Sequence, residues 1–182
     1  MNVFTRLSLS KSVAAALFAV GAMSAQSANA DTLWNWSYSG TDIAASGTLT
    51  TSSVADSLGF YQITGITGSR NGTAITGLYS TGSAIPGNEP YALDNLLQLG
   101  STGQITVHGF GYSMANGSFA NPYFADFLSP PAYSEVYTSQ STFTELPIVF
   151  SAAPVPEPEI ATLMLAGMGA VGFIARRRRR AA

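Results

Sequence analysis

Aromatic and small polar positions alternate early in the chain. Trp34, Trp36 and Tyr38 interleave with Asn35, Ser37 and Ser39, and Ile43, Ala45, Gly47 and Leu49 keep the same period. A period of two belongs to a strand with one buried face. From Phe60 to Tyr79 two β-rich runs flank Ser69-Arg70-Asn71-Gly72, where Asn-Gly supplies the positive φ angles of a tight hairpin turn. Between Gln104 and Met114, Ile105 and Val107 share one face while Phe110, Tyr112 and Met114 share the other, with Gly109 at the change. A one-residue bulge at Gly109 returns both sets to a common buried face. Asn116-Gly117 marks a second turn. Strands are expected near Glu135 to Thr144 and Leu146 to Ser151, the latter presenting Leu146, Ile148 and Phe150 together. Tyr91 to Leu99 reads as a loop or one short helix. The pattern predicts an all-β antiparallel β-sandwich, with a jelly-roll-like arrangement or a partly closed barrel as the alternative. Ile-Thr-Gly recurs at Ile63, Ile66 and Ile75, a triplet too short to imply a solenoid.

The two ends have other patterns. Arg6 and Lys11 precede an apolar run from Val13 to Met23 and a polar stretch ending Ala28-Asn29-Ala30. This is the layout of a secretory signal helix, with small residues at Ala28 and Ala30 for signal peptidase after passage through the Sec translocon, and cleavage before Asp31. The run is shorter than the roughly 20 residues of a permanent span. At the other end Val155-Pro156-Glu157-Pro158-Glu159 leads into an apolar stretch from Ile160 to Ala175 and then Arg176, Arg177, Arg178, Arg179 and Arg180. The prolines keep the approach extended. The apolar stretch is predicted to be a short transmembrane helix, and the arginines a stop that stays cytoplasmic and leaves the preceding segment outside.

Charge separates along the same boundaries. Of 182 residues only 10% are charged, and seven of the eight bases lie in the two end segments. From Asp31 to Pro154 eight acids face Arg70 alone, a net charge of −7 with no lysine. Such a surface repels phosphate backbones, which excludes nucleic acid as the partner of this segment. The chain contains no cysteine, so disulfides, thiolate metal sites and cysteine nucleophiles are excluded together.

Candidate chemistry in the middle segment is sparse. His108 is the only histidine, and Asp94 and Ser113 are the partners a triad would draw on, although nothing in their spacing makes them meet. A strand histidine on a half-exposed face is the simpler reading. The eight acids lie in no glycosidase-like motif. Asp94, Asn95 and Asp126 offer hard oxygen ligands for calcium, but no Asp-x-Asp-x-Asp-Gly loop is present. No phosphate-binding glycine loop or dinucleotide fingerprint occurs. No catalytic residue, metal or cofactor is therefore expected. Aromatic side chains carry the rival binding reading: Trp34, Trp36 and Tyr38 are candidate glycan contacts if their rings share an exposed face.

The order Pro156-Glu157-Pro158, short apolar helix, arginine cluster resembles the PEP-CTERM sorting signal of exported Gram-negative proteins, over about the last 28 residues. The resemblance implies that the proline motif is recognised by exosortase, a membrane-embedded protease or transpeptidase that removes the anchor and releases or re-attaches the passenger. It also implies an association with bacteria that make exopolysaccharide and biofilm matrix. Tyr61 to Gly68, Asn71-Gly72 and Ile75 to Leu78 are similar to a pattern found in small passengers of this class. The chain is thus expected to divide into a cleaved signal at 1–30, a β passenger at 31–152, a Pro-rich linker at 153–159, a transmembrane helix at 160–175 and an arginine tail at 176–182. The precursor is expected to be anchored in the inner membrane only transiently. The mature product is expected at the envelope, surface or matrix.

Overall fold

The computed structural model describes residues 31–100, 103–156, 164–169 and 176. The expected signal helix, with Ala28 and Ala30, lies outside these residues, as do Glu157, Pro158 and Arg177 to Arg180.

Nine strands follow one another: β1 (Thr32–Gly40), β2 (Ile43–Thr51), β3 (Phe60–Arg70), β4 (Thr73–Leu78), β5 (Leu96–Gln98), β6 (Tyr112–Met114), β7 (Phe119–Ala125), β8 (Ala132–Thr138) and β9 (Phe143–Pro154). Every pairing is antiparallel. The sheet runs β2-β1-β9-β8-β7-β6-β4-β3, and a further β2–β3 pairing joins its ends, so eight strands form a closed barrel with β5 attached to β3. The all-β antiparallel expectation holds. The two-sheet sandwich does not, because the first and last strands of the sheet find each other and leave no free edge between them.

Local chemistry explains the closure. β2 and β3 pair from Ala45↔Arg70 to Thr51↔Ile63, with a register shift between Thr50 and Thr51. A bulge of this kind bends and twists a strand, as a closing sheet requires. Within this seam Gly47 faces Gly68, whose φ is +135°. A Cβ on Gly47 would overlap the Thr67 carbonyl oxygen, and one on Gly68 would overlap that of Ser46. The bare backbones permit the close approach.

The hairpin at Asn71-Gly72 forms as expected, with φ of 46° and 78°. Gly109 also adopts a positive φ of 62°, but the surrounding run is mostly loop. Only Tyr112–Met114 is a strand, and Ile105 makes an isolated bridge to Leu97. Ile105, Phe110, Tyr112 and Met114 nevertheless share the core, whereas Val107 turns outward. The last two strands differ from expectation. The polar stretch Ser139-Gln140-Ser141-Thr142 makes the turn, closed by Ser139 N–H to Thr142 O at 2.9 Å, and β9 runs on to Pro154, past the expected boundary at Ala152. Ile148 and Phe150 point inward, while Leu146 is 37% exposed.

The barrel interior holds Trp34, Trp36 and Tyr38 from β1, with Leu49, Ile63, Phe110, Tyr112 and Phe150 packed around them. A second, smaller cluster lies outside the barrel wall. There Ile85 and Leu93, from a strap over residues 79–95, cover Val136 of β8. Asn95 ties the strap down. Its side-chain amide donates to Tyr79 O and Thr81 Oγ1, both at 2.9 Å, and its Oδ1 accepts the Gly111 N–H. Tyr91 to Leu99 is therefore loop followed by β5, with no helix.

Candidate functional site

Inside the barrel the passenger's single arginine finds an acid from the far side of the sheet. Arg70 ends β3 and Glu135 lies mid-β8, and the guanidinium grips the carboxylate through two bonds of 2.7 Å, from Nε to Oε1 and from a terminal nitrogen to Oε2. The Tyr38 hydroxyl donates to Glu135 and is also hydrogen-bonded to Tyr112. Arg70 stacks on the Tyr137 ring, its Cζ 4.3 Å from the centroid. Burial, with the nearby phenol and carboxylate, pushes the Tyr38 hydroxyl well above its ordinary range, and burial with the Glu135 charge does the same to Tyr112. Burial opposes the Arg70 charge, but Glu135 outweighs it and holds the guanidinium firmly protonated. Glu135 is 1% exposed, so this cluster is a satisfied internal plug closed to substrate.

The sequence candidates are scattered. Trp34, Trp36 and Tyr38 are 1%, 2% and 3% exposed and offer no ring face to a glycan. Their alternation marks the inner face of β1. His108 lies on the surface with Nδ1 at 3.0 Å from the Ala92 carbonyl oxygen; since a carbonyl only accepts, Nδ1 carries the proton. Neither Asp94 nor Ser113 hydrogen-bonds to it. Ser113 is engaged with Thr76 and Gly77, and Asp94 accepts from Thr106 Oγ1 at 2.6 Å and from Leu96 N. Burial raises the Asp94 carboxyl above its usual range, against the pull of those two bonds. Of the three oxygen donors considered for calcium, Asn95 is committed to the strap and Asp94 to Thr106 and Leu96. Among the described residues no cluster of His, Asp and Glu is arranged to hold a metal.

The surface feature that sequence reading missed is a groove of about 520 Å³. Its lining includes Tyr91 from the strap, Val107 and His108 from the loop before β6, Phe127 from the β7–β8 turn, and Phe143 with Glu145 from the start of β9. Tyr91, Phe127 and Phe143 are 67%, 68% and 56% exposed. Buried Asn121 of β7 and Val136 of β8 also line it, and Tyr123 donates its hydroxyl to Glu145 Oε1. Burial and the Glu145 carboxylate together push the Tyr123 hydroxyl up to about 12.

The barrel end carries the remaining site. β1 and β9 pair with Trp34 opposite Pro154, so the first residues of one and the last of the other leave side by side. Val155 N–H still bonds to Leu33 O at 2.7 Å, and Pro156, with no N–H, cannot extend the ladder. Past this point residues 164–169 and 176 are helical, with Met164, Leu165 and Met168 exposed. Among the described residues no helix is long and apolar enough to cross a membrane.

Residues 154–180 match the PEP-CTERM protein-sorting motif. No curated protein and no solved structure matches the chain. The motif marks a bacterial protein made for export with a membrane-anchored sorting signal, and it implies exosortase as the processing partner.

Proposed function

We propose that this exosortase-sorted protein is a non-enzymatic component of the envelope or extracellular matrix of a Gram-negative bacterium, associated with exopolysaccharide. Its amino end is removed by signal peptidase before Asp31 after Sec export. Its apolar segment at 160–175 holds the precursor in the inner membrane, with Arg176 to Arg180 cytoplasmic, until exosortase cuts at Pro156-Glu157-Pro158.

The observation that carries this reading is the register of β1 and β9. Because Trp34 faces Pro154, Asp31 and Pro156, which border the proposed cuts, leave the barrel at the same end. From Pro154 to Ile160 the chain spans about 20 Å at full extension, so a membrane-embedded protease meets the folded passenger at short range. Pro156 adds an extended, unpaired backbone where the ladder has just ended, a form suited to a protease cleft.

The state of the polar groups supports a non-enzymatic role. Among the described residues the one salt bridge is sealed in the core, and neither a nucleophile nor a carboxylate is hydrogen-bonded to His108. Fractionation of the native host tests the proposal. The protein is expected in the polysaccharide-rich extracellular fraction of cells with exosortase and in the inner membrane of cells lacking it. Recovery as a free periplasmic protein in both strains would overturn it.

A further inference from the structure

We infer that the groove between the strap and the start of β9 binds a neutral hexose polymer, with Tyr91, Phe127 and Phe143 as stacking faces. The inference rests on the exopolysaccharide association proposed above and assigns it a site. Both tryptophans are inside the barrel, yet these three rings remain mostly in water at the rim of one cavity. Burial of large apolar side chains is favourable, so three rings exposed on one groove mark a surface suited to being covered. The groove also presents groups that hydroxyls can use. Glu145 Oε1 takes the Tyr123 hydroxyl while Oε2 accepts nothing from the described residues. His108 spends Nδ1 on Ala92 O, and its Nε2 makes no hydrogen bond among the described residues. Aromatic planes flanked by hydroxyl-bonding groups fit a pyranose, whose C–H face stacks while its rim hydrogen-bonds.

Charge selects among polysaccharides. Glu145 lines the groove and the passenger carries a net charge of −7 from Asp31 to Pro154, so uronate-rich chains are repelled and neutral ones are not.

His108 supplies a reporter, because one histidine gives one set of imidazole resonances. The full chain in detergent is titrated with laminarin, dextran and alginate while the His108 signals are followed. At least one neutral glucan is expected to shift them saturably, with alginate at least tenfold weaker. Tyr91→Ala, Phe127→Ala and Phe143→Ala are each expected to weaken binding about tenfold, while Leu58→Ala, exposed elsewhere, leaves it unchanged. No response to either neutral glucan, preference for alginate, or affinity indifferent to the three ring variants would overturn the inference. The full chain is assayed without exosortase, so a failed titration here leaves the sorting claim intact, and failed processing in cells leaves this one intact.

Discussion

Arg70 and Glu135 lie 65 residues apart in sequence and meet through two hydrogen bonds of 2.7 Å across the barrel interior. The pair joins the β2–β3 seam, where Arg70 stands opposite Ala45, to β8 on the other side of the sheet. An ion pair with so little exposure is costly to break from one side, because the surviving charge stays buried. Arg70→Met is expected to lower stability by about 3–5 kcal/mol. Adding Glu135→Gln, which keeps an acceptor for Tyr38, is expected to restore part of that loss, with a coupling of about 1–3 kcal/mol in a denaturant double-mutant cycle. Strictly additive losses would contradict the pairing.

The same cluster sets the response to alkali. Tyr38 and Tyr112 hold their protons above the ordinary tyrosine range in the folded state, whereas the unfolded chain releases them near pH 10. Below that pH the two states bind equal protons at these sites and stability is unaffected. Above it the unfolded state binds fewer, so stability falls with rising pH, by about 1.4 kcal/mol per pH unit for each phenol. Absorbance at 295 nm is expected to show these two tyrosines titrating only as the barrel unfolds. Early titration of all eight tyrosines with the far-ultraviolet signal intact would rule this out.

Closure of the barrel depends on Gly47 and Gly68. Gly68→Ala places a Cβ on the Ser46 carbonyl and strains a backbone at φ +135°, and Gly47→Ala strikes Thr67 O and Gly68 Cα. Each is expected to destabilise by about 1–3 kcal/mol and to speed amide exchange along β2 and β3. Gly72→Ala, with nothing near its Cβ position, is expected to leave the seam protected even though its positive φ adds local strain in the turn. Equal exchange in all three variants would show that the seam does not need the glycines.

Gln104 secures β9 just before the sorting segment. Its amide donates to Ala152 O at 2.8 Å and accepts Ala152 N–H at 2.9 Å, completing the backbone pairing of a buried residue. Gln104→Leu leaves both backbone groups without that partner and is expected to cost about 1–3 kcal/mol. Hydrogen exchange at Ala152 should rise more than at Ile148. Unchanged protection at Ala152 would show that another group replaces the glutamine.

What the sequence revealed was local. Asn71-Gly72 announced its turn because the requirement for positive φ is written into two adjacent residues. The alternation in β1 identified one face but could not say whether that face met solvent or core, and Trp34, Trp36 and Tyr38 proved to be inside. The β8–β9 turn was read through because Ser139 to Thr142 contains neither glycine nor proline. Closure, the Arg70–Glu135 pair and the groove were illegible for a common reason. Each depends on segments that become neighbours only through the topology, such as Gly47 with Gly68 or Tyr91 with Phe143. The sorting motif behaves in the opposite way, since its order along the chain is itself the signal, and it needed no fold to be found.

The barrel is proposed to be a passenger trimmed at both ends. Intact mass and terminal sequencing of the protein from its native host, with and without exosortase, test it most directly. A mature chain starting at Asp31 and ending near Pro156 to Pro158 is expected, with arginine-tailed material accumulating when exosortase is absent. Retention of residues 160–182 in both strains would contradict it.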